Sequence, residues 1–181
     1  MSDLPILDSD SPRTGRQEEL AIAGFRIDPT LEGPQFYTLL AVGGDNERPL
    51  TVDGRIIFFV RLTQAHKALV MDPSLAVLGN PPRAVETICD VAQTLYLVNS
   101  QDADPDGVVL DCLLIFDDLV RASGLSMPER YQGILTELAA RLTEGQSLKK
   151  VFTSEALRHH VEDALLWCVG AIAMKARMLT S

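Results

Sequence analysis

The sequence predicts an α+β fold, in which an antiparallel β-meander is followed by a helical region. Short segments rich in apolar, β-branched and aromatic residues fill the first third of the 181-residue chain, and an Asp-Gly pair stands between two of them. The segment "MDPSLAVLGNPPR" then interrupts the pattern with three prolines and a glycine. Beyond it, apolar residues recur at spacings of three and four positions, as on one face of a helix.

The predicted meander has about four strands. "ELAIAGFRI" and "QFYTLLAVG" are the first two, and the turn-forming "DPTLEGP" separates them. "RPLTV" and "RIIFFV" flank Asp53 and Gly54, residues that tolerate the positive φ angles of a type I′ hairpin turn. One helix, "TQAHKALVM", is expected to follow the meander, with Thr63 as its N-cap.

About four helices are expected after the proline-rich break. The first two cover residues 84–99 and 108–123, each with an apolar face at helical spacing. "SMPE" at 126–129 has the form of a capping box with a proline in the first turn, so a third helix is expected to begin there. Gly145 is expected to end this third helix.

The last helix is the most apolar segment of the chain. It is expected to begin at Ser154, its N-cap, and to continue to Leu179. Because residues 164–174 are apolar on nearly every side, the helix is predicted to lie at the centre of the helical region. Gly170 within it is expected to let a neighbouring helix come close.

The domain organisation follows from these elements. Residues 1–18 are rich in Ser, Asp and Pro and are expected to form a flexible tail. Residues 19–80 are predicted to be the β subdomain with its helix, and residues 81–181 the helical subdomain. Because four short strands with one helix are marginally stable alone, the two parts are expected to share one core.

Composition argues against several classes of function. The net charge is −9, from 25 acidic and 16 basic residues, which disfavours a nucleic-acid partner. The longest apolar run has 11 residues, whereas a membrane span needs about 20, and the N-terminus lacks the pattern of a signal peptide. Because of the short apolar run, no membrane partner is expected. Three cysteines in apolar stretches are typical of reduced, buried thiols, so we expect a cytoplasmic protein.

"SQDADPDGVVLD" at residues 100–111 carries the first candidate site. Asp102, Asp104, Asp106 and Gly107 follow the D-x-D-x-D-G order of an EF-hand calcium loop. Position 12 of that loop, however, is Leu113 instead of the glutamate that closes the Ca²⁺ shell. We therefore predict an acidic turn whose Asp106 caps the next helix, and a weak calcium site is the alternative.

"EALRHHVED" carries the second candidate site. Glu155, His159 and Asp163 share one helix face, and His160 lies about 100° around the helix from His159. Imidazole and carboxylate ligands at this spacing bind Zn²⁺ when another helix completes the set, and the Asp117–Asp118 pair is the candidate for that role. The alternative is a polar helix face with charge pairs four residues apart.

No nucleophile motif points to an enzyme: the G-x-S-x-G and phosphate-loop patterns are absent from the sequence. We therefore predict a non-enzymatic cytoplasmic interaction protein, such as an adaptor, a chaperone-like protein or an inhibitor. Its expected partner is another protein, and a homo-oligomer is compatible with the sequence. The alternative is a small metal-dependent enzyme or metal-binding protein that uses the Asp102–Asp106 loop or the His159/His160 cluster. No cofactor is expected, with weak calcium or zinc binding left open.

Overall fold

The α+β prediction is confirmed. The fold is given by a computed structural model that describes residues 19–43, 47–71, 82 and 84–179. Within these residues the chain forms one seven-stranded mixed sheet and six helices. The tail predicted over residues 1–18 and the boundary predicted near residue 80 lie outside the described residues.

Among the described residues, five strands lie in the first third of the chain, one lies near its middle and one near its end. They are β1 (Glu19–Arg26), β2 (Phe36–Val42), β3 (Arg48–Pro49), β4 (Thr51–Val52), β5 (Arg55–Phe59), β6 (Thr87–Asp90) and β7 (Ala176–Leu179).

The helices lie between β5 and β7 in the sequence. They are α1 (Leu62–Met71), α2 (Val91–Ser100), α3 (Val108–Ser123), α4 (Glu129–Thr143), the single turn α5 (Leu148–Val151) and α6 (Glu155–Lys175).

The predicted meander is present at the centre of the sheet. β2 is antiparallel to β1 and to β5, and the short β3 and β4 pair with β2 and β5 respectively. Asp53 (φ 52°) and Gly54 (φ 67°) both adopt left-handed angles between Val52 and Arg55, which pair across the turn. This is the backbone of the predicted two-residue hairpin.

The helix predicted over residues 84–99 is wrong in its first half. Thr87–Asp90 instead forms β6, which runs parallel to β1 and pairs with its last four residues. The helix begins only at Val91, where the Asp90 side chain accepts a hydrogen bond from Gln93 N at 2.9 Å. Pairing with a strand distant in the chain thus overrides the local helical spacing.

The last predicted helix also ends in a strand. α6 stops at Lys175, and Ala176–Leu179 forms β7, parallel to β5. Phe59 of β5 faces Tyr37 of β2 on one side and Leu179 of β7 on the other. β7 is therefore an outer strand of the sheet, and Leu179 is not the helical residue that the sequence predicted.

Both faces of the sheet are buried. Along β1, Ile22 belongs to an apolar cluster with α1, whereas Ala23 belongs to the larger cluster with the helices α2, α3, α4 and α6. This alternation follows from the two-residue period of a strand. The sheet is thus covered by α1 on one face and by the helical layer on the other.

Two predicted helix caps are wrong and two helix boundaries are confirmed. α1 begins before Thr63, and Arg61 N donates to the Gln64 side chain at 3.0 Å. α4 begins after Pro128, without a side-chain cap, so the "SMPE" serine does not cap it. Ser154 caps α6 by accepting from Leu157 N at 3.2 Å, and Gly145 (φ 78°) follows the end of α4.

The central position predicted for α6 is confirmed for one side of the helix only, because Leu166 and Met174 on its other side are exposed. Ala164, Leu165 and Cys168 are fully buried, and the helix contacts α2, α3, α4 and β5. The expectation for Gly170 is wrong: nothing lies within 4 Å of a Cβ built on this residue. Its side of α6 faces away from the helical layer.

We expect Leu165→Ala to lower the free energy of unfolding by about 2–5 kcal/mol, because it leaves a cavity at a fully buried position. Leu166→Ala is the matched control: it truncates the next leucine of the same helix, which is 51% exposed, and should cost less than about 0.5 kcal/mol. Urea unfolding of the two variants measures the difference. Equal losses would contradict the orientation of α6.

Candidate metal ligands and interaction surfaces

The aspartate loop is held by contacts within the protein. Asp102 Oδ2 accepts a hydrogen bond from the Tyr96 hydroxyl at 2.9 Å, and this bond raises the pKa of Tyr96. The two oxygens of Asp104 accept from Val108 N and Val109 N, each at 2.9 Å. The Asp104 carboxylate therefore sits on the N-terminus of α3, where amides and the helix dipole favour negative charge.

The prediction that Asp106 caps α3 is wrong. Asp106 is exposed, and Gly107 occupies the N-cap position with a left-handed φ of 71° and no side-chain cap bond. The turn at Gly107 brings the earlier Asp104 over the first helical amides. Sequence spacing alone favoured the aspartate next to the helix, because the shape of the loop could not be deduced from it.

The histidine segment forms a polar helix face. His159 Nε2 lies 3.6 Å from Glu155 Oε1, and His159 Nδ1 lies 3.7 Å from Glu162 Oε2, with the imidazole 63% exposed. His160 and Asp163 are also exposed. These contacts correspond to the charge pairs that the sequence offered as the alternative to a zinc site.

All of the predicted metal ligands fall within the described residues. No group of three or more His, Cys, Asp or Glu side chains in that part of the chain is arranged to hold a metal ion. Asp117 and Asp118, the predicted partners of the histidines, both pair with Arg121. Weak calcium or zinc binding stays a prediction that metal titration can test.

The three cysteines gather in the core. Cys89 Sγ of β6 and Cys112 Sγ of α3 lie 3.1 Å apart, and Cys89, Cys112 and Cys168 are fully buried. Burial raises the pKa of the Cys89 thiol well above its ordinary value and that of Cys168 to about 12. These two thiols are therefore protonated at neutral pH and are poor nucleophiles.

The outer side of α3 forms an acidic surface, which we call the acidic face of α3. Successive turns place Asp111, Leu114, Asp117, Asp118 and Arg121 along it. Leu114 is 54% exposed, although it is a large apolar residue. Arg121 pairs with Asp117, and Arg121 Nη1 lies 3.1 Å from Asp118 Oδ1.

Asp118 carries the most perturbed carboxylate of this face. Burial raises its pKa to about 6, the nearby Arg121 opposes that rise, and the negative charges of Glu47 and Asp117 add to it. Glu47 directly precedes β3, and β3 packs against α3. Three carboxylates from two distant parts of the sequence are thus held close enough to repel one another.

The outward side of α6 forms a second surface, which we call the open face of α6. Leu166 (51% exposed), Gly170, Ala173 and Met174 (71% exposed) lie along it. The sequence interpretation treated these residues as part of an apolar core helix and so missed the surface. Among the described residues, none of the helices combines the length and the apolarity that a membrane crossing requires.

Sequence reasoning also missed the acidic face of α3. It considered Asp117 and Asp118 only as metal ligands, and it had no signal that would bring Glu47 to them. The spacing of Asp111, Leu114 and Asp118 along one helix side could have identified the exposed leucine between carboxylates.

Comparison with known proteins bears on the fold alone. No protein-family model and no curated protein matches the sequence. Among solved structures, the chain is similar to the C-terminal domain of SatS, crystallised in complex with bromine. The match has a TM-score of 0.60 and 15% sequence identity, and it covers 88% of this chain and 94% of that one. A likeness at this level of identity shows a shared fold alone.

Removing the Asp104 cap should weaken α3. We expect Asp104→Ala to lower the free energy of unfolding by about 1 kcal/mol, the usual cost of a lost N-terminal cap. Asp106→Ala, two positions further on, is the control and should be close to neutral. Chemical denaturation monitored by circular dichroism compares them. A larger loss for Asp106→Ala would restore the cap assignment made from the sequence.

Neutralising Asp118 should stabilise the protein at neutral pH. In the folded chain the pKa of Asp118 is about 6, above its ordinary value of 3.8. Between pH 3.8 and about pH 6 the folded state therefore binds more protons than the unfolded state. The free energy of unfolding falls as the pH rises through this range. We expect Asp118→Asn to raise the free energy of unfolding by about 1–2 kcal/mol at about pH 7.5, and to change it little at about pH 4.

Urea midpoints at the two pH values measure this effect. Asp117→Asn removes a neighbouring carboxylate that is 65% exposed, and it should change stability by less than about 0.5 kcal/mol. If Asp118→Asn stabilised the protein equally at both pH values, the ionisation of the Asp118 carboxyl would not be the cause of the effect.

Proposed function

We propose that this chain is a non-enzymatic cytoplasmic interaction protein, acting as an adaptor, a chaperone-like protein or an inhibitor. We further propose that it binds a basic segment of another protein through the acidic face of α3. The observation that carries the proposal is Leu114, an apolar side chain 54% exposed between carboxylates on consecutive helical turns.

Leu114 supplies the apolar centre of the proposed contact. Protein interfaces combine a desolvated apolar centre with a polar rim, and a few central residues contribute most of the binding energy. Here Asp111 and Asp117 lie one turn before and one turn after the leucine. A matching partner segment presents an apolar side chain with lysine or arginine on both sides of it.

The charge around Asp118 supports a basic partner. At neutral pH its carboxylate is ionised although its side chain is only 15% exposed, and it lies near Glu47 and Asp117. This arrangement destabilises the folded chain, a cost that proteins often retain where it serves function. A partner cation beside Asp118 would reduce the repulsion, so binding and stability would rise together.

The net charge of −9 favours the same partner at longer range. A strongly negative protein attracts basic segments and speeds their encounter, whereas it repels phosphate backbones. The alternative metal-dependent function receives less support, because Asp102 and Asp104 already bond to Tyr96 and to the N-terminus of α3.

Capture from the native host tests the proposal. Asp117→Lys reverses an exposed charge that pairs with Arg121 four residues later. Glu137→Lys is the matched control, because Glu137 is 61% exposed and makes the same type of pair with Arg141 on α4. We expect one partner to bind both the wild type and Glu137→Lys, and to be lost with Asp117→Lys.

Affinity measurements on the purified complex complete the test. We expect Asp117→Lys and Leu114→Ala each to weaken binding by about tenfold or more, and added salt to weaken the wild-type complex. Unchanged affinity in both variants would contradict the assignment of the surface. Failure to capture any partner specifically would contradict the function.

A further inference from the structure

We infer that Cys89 and Cys112 form a redox-active dithiol: a peroxide oxidises the two thiols to a disulfide bond between β6 and α3, and a thiol reductant restores them. Both residues are fully buried. Cys112 lies on the inner side of α3, so the inference does not depend on the function proposed for the acidic face of that helix.

The fold brings the two sulfur atoms into direct contact. Cys89 Sγ and Cys112 Sγ lie 3.1 Å apart, although the residues are 23 positions apart in the sequence. A disulfide bond is about 2.05 Å long, so the two atoms need to approach by about 1 Å more. Cys89 lies in β6, paired with Phe25 of β1, and Cys112 lies in the first half of α3. A strand and a helix thus hold the thiols together.

Cys168 of α6 is the third thiol of the same cluster. It is fully buried, and the charge of an ionised Cys112 contributes to its raised pKa, so it lies near that residue. Cys112 therefore has two candidate partners. The direct contact between sulfur atoms favours Cys89.

The oxidation balances with one molecule of peroxide. The thiolate of one cysteine attacks a peroxide oxygen, so that an S–O bond forms, the O–O bond breaks and the first water leaves; the product is a sulfenic acid. The thiolate of the other cysteine then attacks the sulfenic sulfur, so that the S–S bond forms, the S–O bond breaks and the second water leaves. Both thiol protons end in water, and the two electrons lost by the sulfur atoms reduce the peroxide.

Burial slows this oxidation, and the contact between the sulfur atoms selects its product. The raised pKa of Cys89 keeps its thiol protonated, so we expect the reaction to take minutes to hours instead of seconds. The second step is intramolecular, because the other sulfur atom already lies beside the sulfenic acid. It therefore precedes the attack of a second peroxide molecule, which gives a sulfinic acid.

The disulfide bond reinforces a short strand. β6 has only four residues, and they pair with the last four residues of β1. The bond closes a loop that contains α2 and the aspartate loop, which reduces the conformational freedom of the unfolded chain. Oxidation should therefore make unfolding more difficult, so that the pair acts as a reversible lock between the sheet and the helical layer.

Oxidation of the folded chain tests the pairing. After treatment with hydrogen peroxide, we expect two of the three thiols to disappear and dithiothreitol to restore them. A protease that cleaves before aspartate places Cys89 in residues 72–89 and Cys112 in residues 111–116. Neither peptide contains methionine, which peroxide also oxidises. Mass spectrometry without reductant should find these two peptides linked, with the mass of two hydrogen atoms lost.

Each other product would overturn the inference. These products are a chain that keeps all three thiols, a link between Cys112 and Cys168, a disulfide between two chains, and a sulfinic acid at Cys89 or Cys112. The chain unfolded in urea is the control, because its three cysteines pair without the fold and should give a mixture of links. The same mixture from the folded chain would show that the contact does not select the pair.

Two alanine variants test the partner of Cys112. Cys89→Ala should keep both of its remaining thiols under peroxide. Cys168→Ala is the matched control, since it truncates another fully buried cysteine of the same cluster, and it should form the link as the wild type does. Circular dichroism checks that the variants fold, and the peptide map of the wild type decides the pairing if one does not. Loss of the link in a folded Cys168→Ala chain would contradict the assignment.

Urea unfolding tests the lock. The midpoint of the oxidised wild type should exceed that of the reduced wild type by about 0.5 M or more. The midpoint of Cys89→Ala should not rise after the same treatment, which controls for the oxidation of methionine. A linked chain with an equal or lower midpoint would overturn the lock.

Discussion

Two parallel strand pairings, β6 with β1 and β7 with β5, hold the helical region of this protein against its sheet. The first pairing lies at the start of the helical region and the second at its end, on opposite outer strands. The helices between them therefore extend across one face of the sheet. Phe25 and Phe58 meet edge-to-face in the core on that side, with ring centroids 5.3 Å apart. The two pairings thus bracket the helices that pack on this face of the sheet, where α3 and α6 both contact β5.

The sequence predicted best the elements whose signals are local. Asp53 and Gly54 identified the hairpin because their backbone freedom alone favours that turn, and α3 was predicted with the boundaries it has. β6 and β7 were missed because a strand of four residues is stabilised by its distant partner. Ile88 fitted a helical spacing, and "ARML" reads as the continuation of α6.

The candidate surfaces were harder to predict for the same reason. Apolar spacing identifies which residues tend to be buried, but exposure depends on which neighbours exist. On α6, Leu165 and Leu166 are identical and adjacent, and only the former meets the helical layer. On α3, the electrostatic environment of Asp118 depends on Glu47, a residue that no helical pattern connects to it. The acidic face of α3 and the open face of α6 are what the helical layer leaves uncovered.

The contact between Cys89 and Cys112 has a consequence for how motion in this protein can be observed. A shielded, protonated thiol reacts with an alkylating reagent only after a fluctuation separates β6 from α3 and admits water. When reclosing is faster than alkylation, the reaction rate is proportional to the population of the open form. Cys89 and Cys112 therefore act as an internal reporter of partial unfolding at the junction of β6 and α3. A ligand that restrained this opening would slow their alkylation without touching either sulfur atom.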